Sequence, residues 1–139
     1  MYLIDKLQKV MNSSARLIYK LPRNHHVTPL LSDLHWLSVE NRIRYKVACL
    51  SFAVVSGSAP PYLSDLLHVY TPSRQLRSSA DSRIFRVPRR RRQLGQRAFS
   101  YFGPVVWNDL PFSLRHSPSL STFKKGLKTH LFSTQVNSS

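Results

Sequence analysis

Residues 38–57 read SVENRIRYKVACLSFAVVSG, and whether they form a helix decides the fold class. Ser38 offers a side-chain oxygen to the free backbone N–H groups of a first turn. Ile43, Val47, Leu50 and Val54 recur at three- and four-residue steps, and Gly57 stands where a helix would end. A helix from Val39 to Ser56 is therefore expected. Its start carries Arg42, Arg44 and Lys46, while its latter half is nearly all apolar and has to lie against other structure.

Upstream, Leu3, Leu7, Val10, Met11, Leu17 and Ile18 repeat with the same period, interrupted by Ser14, and predict an amphipathic helix from Tyr2 to Lys20. Leu21-Pro22 ends it, because proline disfavours helical geometry in the residue before it. A basic turn through Arg23 to His26 follows. Thr28 then reads as an N-cap with Pro29 at the first helical position, predicting a short helix over Leu30 to Trp36 that buries Leu31, Leu34 and Trp36. Downstream, Pro60-Pro61 breaks the chain, and Tyr62 to Leu67 supplies another helical turn. Ser117 and Pro118 cap a last helix to Phe132, with Leu120, Phe123, Leu127 and Leu131 on one face.

Between Tyr70 and Trp107 helical periodicity disappears. Ile84 to Val87 and Phe99 to Val106 are candidate strands of a short β-hairpin that turns around Gly95. The expected fold is thus mainly α: a small helical region over residues 1–70, a basic, extended arm over 71–106, a C-terminal helical segment over 107–133 and a flexible tail over 134–139. Trp107 is expected to pack the arm onto the helices, with Asn108 or Asp109 capping the turn at Leu110-Pro111.

Charge points to a partner. The 139 residues carry a formal charge of +15 and a pI near 11.0, which favours a polyanion. Nine arginines lie between Arg74 and Arg97 against one acidic residue, Asp81. A guanidinium presents its donors as a planar fork that matches phosphate oxygens, so arginine at nearly every basic position of the segment favours a nucleic-acid backbone. Arg74, Arg77, Arg83, Arg86, Arg89, Arg90, Arg91, Arg92 and Arg97, with Lys124, Lys125 and Lys128 of the last helix, are the candidate contacts to RNA or DNA. Phe99 and Tyr101 are candidates to stack on bases. A basic loop that merely solubilises, or a nuclear-import signal in Pro88 to Arg92, is the competing reading.

The same sequence argues against other chemistry. The six acidic residues are scattered at Asp5, Asp33, Glu40, Asp65, Asp81 and Asp109, and magnesium-dependent phosphoryl transfer needs carboxylates brought together. His25, His26, His35 and Cys49 match no zinc spacing. A single cysteine excludes an intrachain disulfide. No cofactor, metal or small-molecule substrate is expected. No apolar run approaches the length of a membrane span, and MYLIDKLQKV at the start lacks the architecture of a signal peptide, so an intracellular, nuclear location is expected.

The order of segments carries a resemblance. LQKVMNSSARLIYKL, HHVTPLLSDLHWLSVENRIRYKVACLSF, SGSAPPYLSDLL, YTPSRQLRSS, GQRAFSYFGPVVWNDLP and SLSTFKKGLKTHLF together resemble the C-terminal end of the reverse transcriptase polyproteins of animal non-LTR (LINE-type) retrotransposons, over nearly the whole chain. The resemblance rests on Leu34 to Leu37, Arg42-Ile43, Ala59-Pro60, Tyr62-Leu63, Leu76 to Ser78, Ala98 to Ser100, Trp107-Asn108 and Leu110-Pro111 in combination. It implies an endonuclease and a reverse transcriptase upstream in the parent, and a thumb-like place for residues 1–70. The family's catalytic strand, an aromatic residue followed by Ala-Asp-Asp, has no counterpart here. Ala80-Asp81-Ser82 holds one carboxylate where two-metal chemistry needs more. The expectation is a non-catalytic fragment that binds RNA or DNA and, as a further partner, the remainder of such a polyprotein. The alternative is a free-standing basic RNA-binding scaffold protein.

Overall fold

The computed structural model describes residues 2–71, 83–89 and 93–137. Among these the chain is mainly α, with eight helices and one antiparallel bridge, Val69 with Phe85. The chain groups into two units, one formed by residues 1–45 and 128–139 and the other by residues 46–127. Helices at both ends of the chain contribute to the first unit.

In the first unit, α1 (Tyr2–Ile18) closes through Lys20, whose φ is 52°. The Leu21 N–H then donates to the Arg16 carbonyl at 2.9 Å, a left-handed closure that satisfies a last-turn carbonyl before Pro22. Of the apolar positions expected to be buried on α1, only Met11 is. Met11 and Ala15 pack with Leu30 and Leu31 of α2 (Thr28–Asp33), whereas Leu3, Leu7, Val10, Leu17 and Ile18 are each more than half exposed. Ala15 has little side chain to hold α2 away, so the close approach falls on the Met11–Ala15 side and leaves the leucine stripe in solvent.

Thr28 is the first residue of α2 rather than its cap, and Val27 precedes it with no side-chain bond. The helix stops at Asp33, short of Trp36, because His35 takes a φ of 53° and the Trp36 N–H turns back to the Leu31 carbonyl at 2.8 Å. Leu30 and Leu31 are buried, while Leu34 and Trp36 are partly so. Helix α3 (Val39–Val55) has the expected extent. Its first N–H groups are taken by side chains: Ser38 N–H donates to Gln135 Oε1 at 2.8 Å, Val39 N–H to Gln8 Oε1 at 2.9 Å, and Asn41 N–H to Ser38 Oγ at 3.3 Å. Ser38 is thus the cap the sequence indicates, and two glutamines distant in sequence complete it.

The second unit is built around an aromatic cluster. From α3 it takes Ala48, Ser51 and Phe52, not the expected face, for Ile43 and Leu50 are 39% and 41% exposed. Apolar residues surround the latter half of α3, so periodicity alone cannot single out the face whose small residues admit a neighbour. Phe52 stacks on Phe123 of α8 (Leu120–Asn137), with centroids 4.6 Å apart and planes at 23°. Short helices α4 (Pro61–Ser64), α5 (Gln93–Arg97) and α7 (Phe112–Arg115) connect the longer elements. Phe123, Leu127 and Leu131 of α8 are buried as expected, while Leu120 is 38% exposed. Ser119, not Ser117, caps α8, its Oγ accepting from the Thr122 N–H at 3.2 Å. Thr134 to Asn137, expected as tail, continue the helix.

The expected hairpin does not form. Phe99 to Val106, expected as a strand, belong to helix α6 (Phe99–Asn108), and the turn expected around Gly95 is α5. Residues 84–86 pair instead with 68–70, through Tyr70 N–H to the Ile84 carbonyl at 2.7 Å and Arg86 N–H to the His68 carbonyl at 2.8 Å. Helix α6 tolerates Pro104, which withholds one helical donor, because its neighbours Gly103, Val106 and Trp107 are buried with it. A Cβ at Gly103 would stand 3.2 Å from both Leu67 and Phe99. The run is apolar on nearly every side of α6, which hides the helical period.

These burials lead to a direct comparison on α1. Met11→Ala should lower unfolding stability by about 2–5 kcal/mol, whereas Leu7→Ser should change it by less than about 0.5 kcal/mol. Urea titrations followed by circular dichroism check both; equal losses would place the leucine stripe in the core.

Candidate nucleic-acid interface

Within the second unit, Arg83 and Phe85 of the arginine-rich stretch are held by a clamp made from two adjacent residues of α6. Trp107 is fully buried, and its indole N–H donates to the Arg83 carbonyl at 2.6 Å. Beside it, the Asn108 side-chain amide meets the backbone of Phe85 twice: Nδ2 donates to the Phe85 carbonyl at 2.8 Å, and Oδ1 accepts from the Phe85 N–H at 3.0 Å. The amide thereby imitates a strand partner. In a strand, Trp107 and Asn108 would point to opposite faces, but on a helix they lie about 100° apart and both reach the same segment. The Phe85 ring is buried against Trp107, with centroids 6.0 Å apart.

A second layer involves Arg115 of α7, a buried arginine. One of its guanidinium nitrogens donates to the Asn108 carbonyl at 3.0 Å. Arg83 in turn donates to the Arg115 carbonyl at 3.0 Å. Arg83, expected to contact nucleic acid, therefore has a donor engaged inside the unit. The backbone from Arg83 to Arg86 is fixed by Trp107 and Asn108 on one side and by residues 68 and 70 on the other.

Beyond this clamp the candidates divide. Arg86, Arg89 and Arg97 are exposed, as are Lys124 and Lys125 on α8. Among the described residues, Arg86, Arg89, Arg97 and Lys124 have no carboxylate partner. Lys128 is exposed in the first unit, with its ammonium 5.8 Å from the centre of the Phe132 ring. Arg74, Arg77, Arg90, Arg91 and Arg92 lie outside the described residues. Of the stacking candidates, Phe99 and Tyr101 are both half-buried, and Phe99 lies against Gly103. The structure thus places Arg86 and Arg89 directly after the clamp and assigns Phe99 at least partly to packing.

Two contributors were not legible. Arg115 sits in LPFSLRHSP, where nothing distinguishes it from a solvated base. Asn108 reads as a turn cap, but its adjacency to a tryptophan was the available signal of a clamp. For other chemistry, no group of three metal-capable side chains gathers among the described residues, Asp81 lies outside them, and Asp5, Asp33, Glu40, Asp65 and Asp109 are exposed. Among the described residues no helix is long and apolar enough to cross a membrane. Comparison of the chain with protein-family models, with curated proteins and with solved structures found no match.

Proposed function

We propose that this chain is a non-catalytic piece from the C-terminal end of a LINE-type reverse transcriptase polyprotein and that it binds RNA or DNA through the phosphate backbone, with no role as a polymerase. The observation that carries the binding reading is the clamp. On one side of Arg89 to Arg92 the backbone of Phe85 is fixed by Asn108, and on the other side Gln93–Arg97 form α5. Fixing the backbone at Phe85 reduces the ordering that phosphate contact by the neighbouring Arg86 demands, compared with a free basic tail. Arg86, Arg89, Arg90, Arg91, Arg92 and Arg97 are the proposed phosphate contacts, assisted by Lys124 and Lys125. The polyprotein origin rests on the order of sequence segments alone.

Phosphate contact releases condensed counterions, so affinity should depend steeply on salt. If about five arginines engage a single strand, log affinity should fall by roughly 3 to 4 units for each tenfold rise in salt. Anisotropy titrations of a labelled RNA across salt concentrations measure the slope. A slope near zero removes the nucleic-acid reading.

A further inference from the structure

The arginines account for affinity toward phosphate but leave the bases without a partner, since Phe99 and Tyr101 are half-buried. Among the described residues the exposed aromatic rings are Tyr2, Tyr19, Tyr62, Tyr70 and Phe112; Tyr19 lies in the first unit, just after α1. Tyr2 has the Lys6 ammonium 4.1 Å from its ring centre, and the Phe112 ring is stacked on His116 at 3.9 Å. Tyr62 is on α4, away in sequence from the arginine-rich stretch. Tyr70 alone is joined to that stretch by its backbone, with its N–H bonded to the Ile84 carbonyl at 2.7 Å.

The pairing also sets which way Tyr70 faces. Val69 and Phe85 are bridged and share one side, the side on which Phe85 is buried. Side chains alternate along extended backbone, so His68, Tyr70, Ile84 and Arg86 share the opposite side. His68 and Arg86 are exposed there, and 51% of Tyr70 is accessible. Diagonal neighbours across such a pair lie about 7–8 Å apart, which puts a flat ring and a guanidinium within one nucleotide's reach of each other.

We propose that Tyr70 is a base-stacking site: its ring receives one nucleobase of a single-stranded RNA or DNA while Arg86 contacts the adjoining phosphate. This deepens the nucleic-acid reading and rests on it. Stacking accepts any base, since each has a π-face, so the site adds affinity for single strands without sequence preference. The backbone hydrogen bond fixes the main chain from which the ring projects.

The test uses the full chain with two probes of equal charge, a single-stranded oligoadenylate in RNA and DNA forms and an abasic strand of the same length. Tyr70→Leu and Tyr70→Ala should each weaken binding to both oligoadenylates about 5- to 100-fold, the range for one stacked base. Neither should alter the salt slope or the affinity for the abasic strand. Tyr70→Phe should bind like the parent, as should Tyr62→Ala. If Tyr70→Leu binds oligoadenylate normally while the parent keeps its steep salt slope, the stacking site is wrong and the phosphate reading stands. Equal losses on the abasic strand would also overturn it, by showing that Tyr70 acts on the fold. A parent chain with no salt-dependent binding would overturn both.

Discussion

Trp107→Ala should unfold the unit formed by residues 46–127 at temperatures where the parent is folded. The indole is fully buried, with the rings of Phe52, Phe85 and Phe123 centred 6.3, 6.0 and 5.7 Å away. Truncating a buried tryptophan costs on the order of 3–5 kcal/mol, a large part of the stability of a small domain. The substitution also takes the hydrogen bond from the Arg83 carbonyl. Trp107→Phe separates the two losses: it keeps most of the packing and leaves that carbonyl without its indole donor, for an expected loss of about 1–3 kcal/mol. Thermal and urea unfolding, followed in the far ultraviolet, should rank the parent above Trp107→Phe and Trp107→Ala last. A Trp107→Ala protein that melts like the parent but has lost nucleic-acid binding would move this residue from core to interface.

The extents of α1 and α3 were legible because their ends carry local chemistry: Ser38 and Gly57 bracket α3, and Leu21-Pro22 follows α1. The buried faces were less so. On α1 the leucines define the more regular stripe, yet the contact falls at Met11 and Ala15, since a small side chain governs how closely α2 approaches. Leucine spacing records where apolar area is available; it does not record where a neighbour fits. The same limit applies to α3, where Ala48 and Ser51 face inward.

The backbone of residues 93–106 was misread for a different reason. FSYFGPVVWN contains glycine, proline and β-branched residues, all of which favour strand or turn on local grounds. Tertiary packing prevails: Gly103 permits the approach of Leu67, and the helical arrangement lets Trp107 and Asn108 grip one segment together. The candidate site was legible as charge, through the run of arginines. Its attachment was not, because a side-chain amide bonded to a distant backbone leaves no period in the sequence. Arg83 and Arg115 show the consequence, for composition alone cannot separate an arginine that holds the fold from one that faces solvent.

That distinction can be measured at the other end of the segment. Replacing Arg89, Arg90, Arg91 and Arg92 with glutamine should flatten the salt dependence of single-strand binding by up to about 3 units, since each phosphate contact contributes about 0.7 to the slope. Unfolding should be nearly unchanged: Arg89 is exposed, and the clamp acts on the backbone of Phe85 through Asn108. Substituting lysine at the same four positions tests the chemistry of the contact beyond its charge. Lysine keeps the counterion term and therefore most of the slope, but a point charge lacks the bidentate fork, so affinity should fall while the salt dependence persists. If the glutamine protein unfolds while Trp107→Ala remains folded, the parts assigned to arm and core have to be exchanged. If glutamine and lysine proteins bind alike and with the parent's slope, these four arginines lie off the strand, and the counterion release must come from other basic residues, such as Arg74, Arg77, Arg86, Arg97, Lys124 and Lys125.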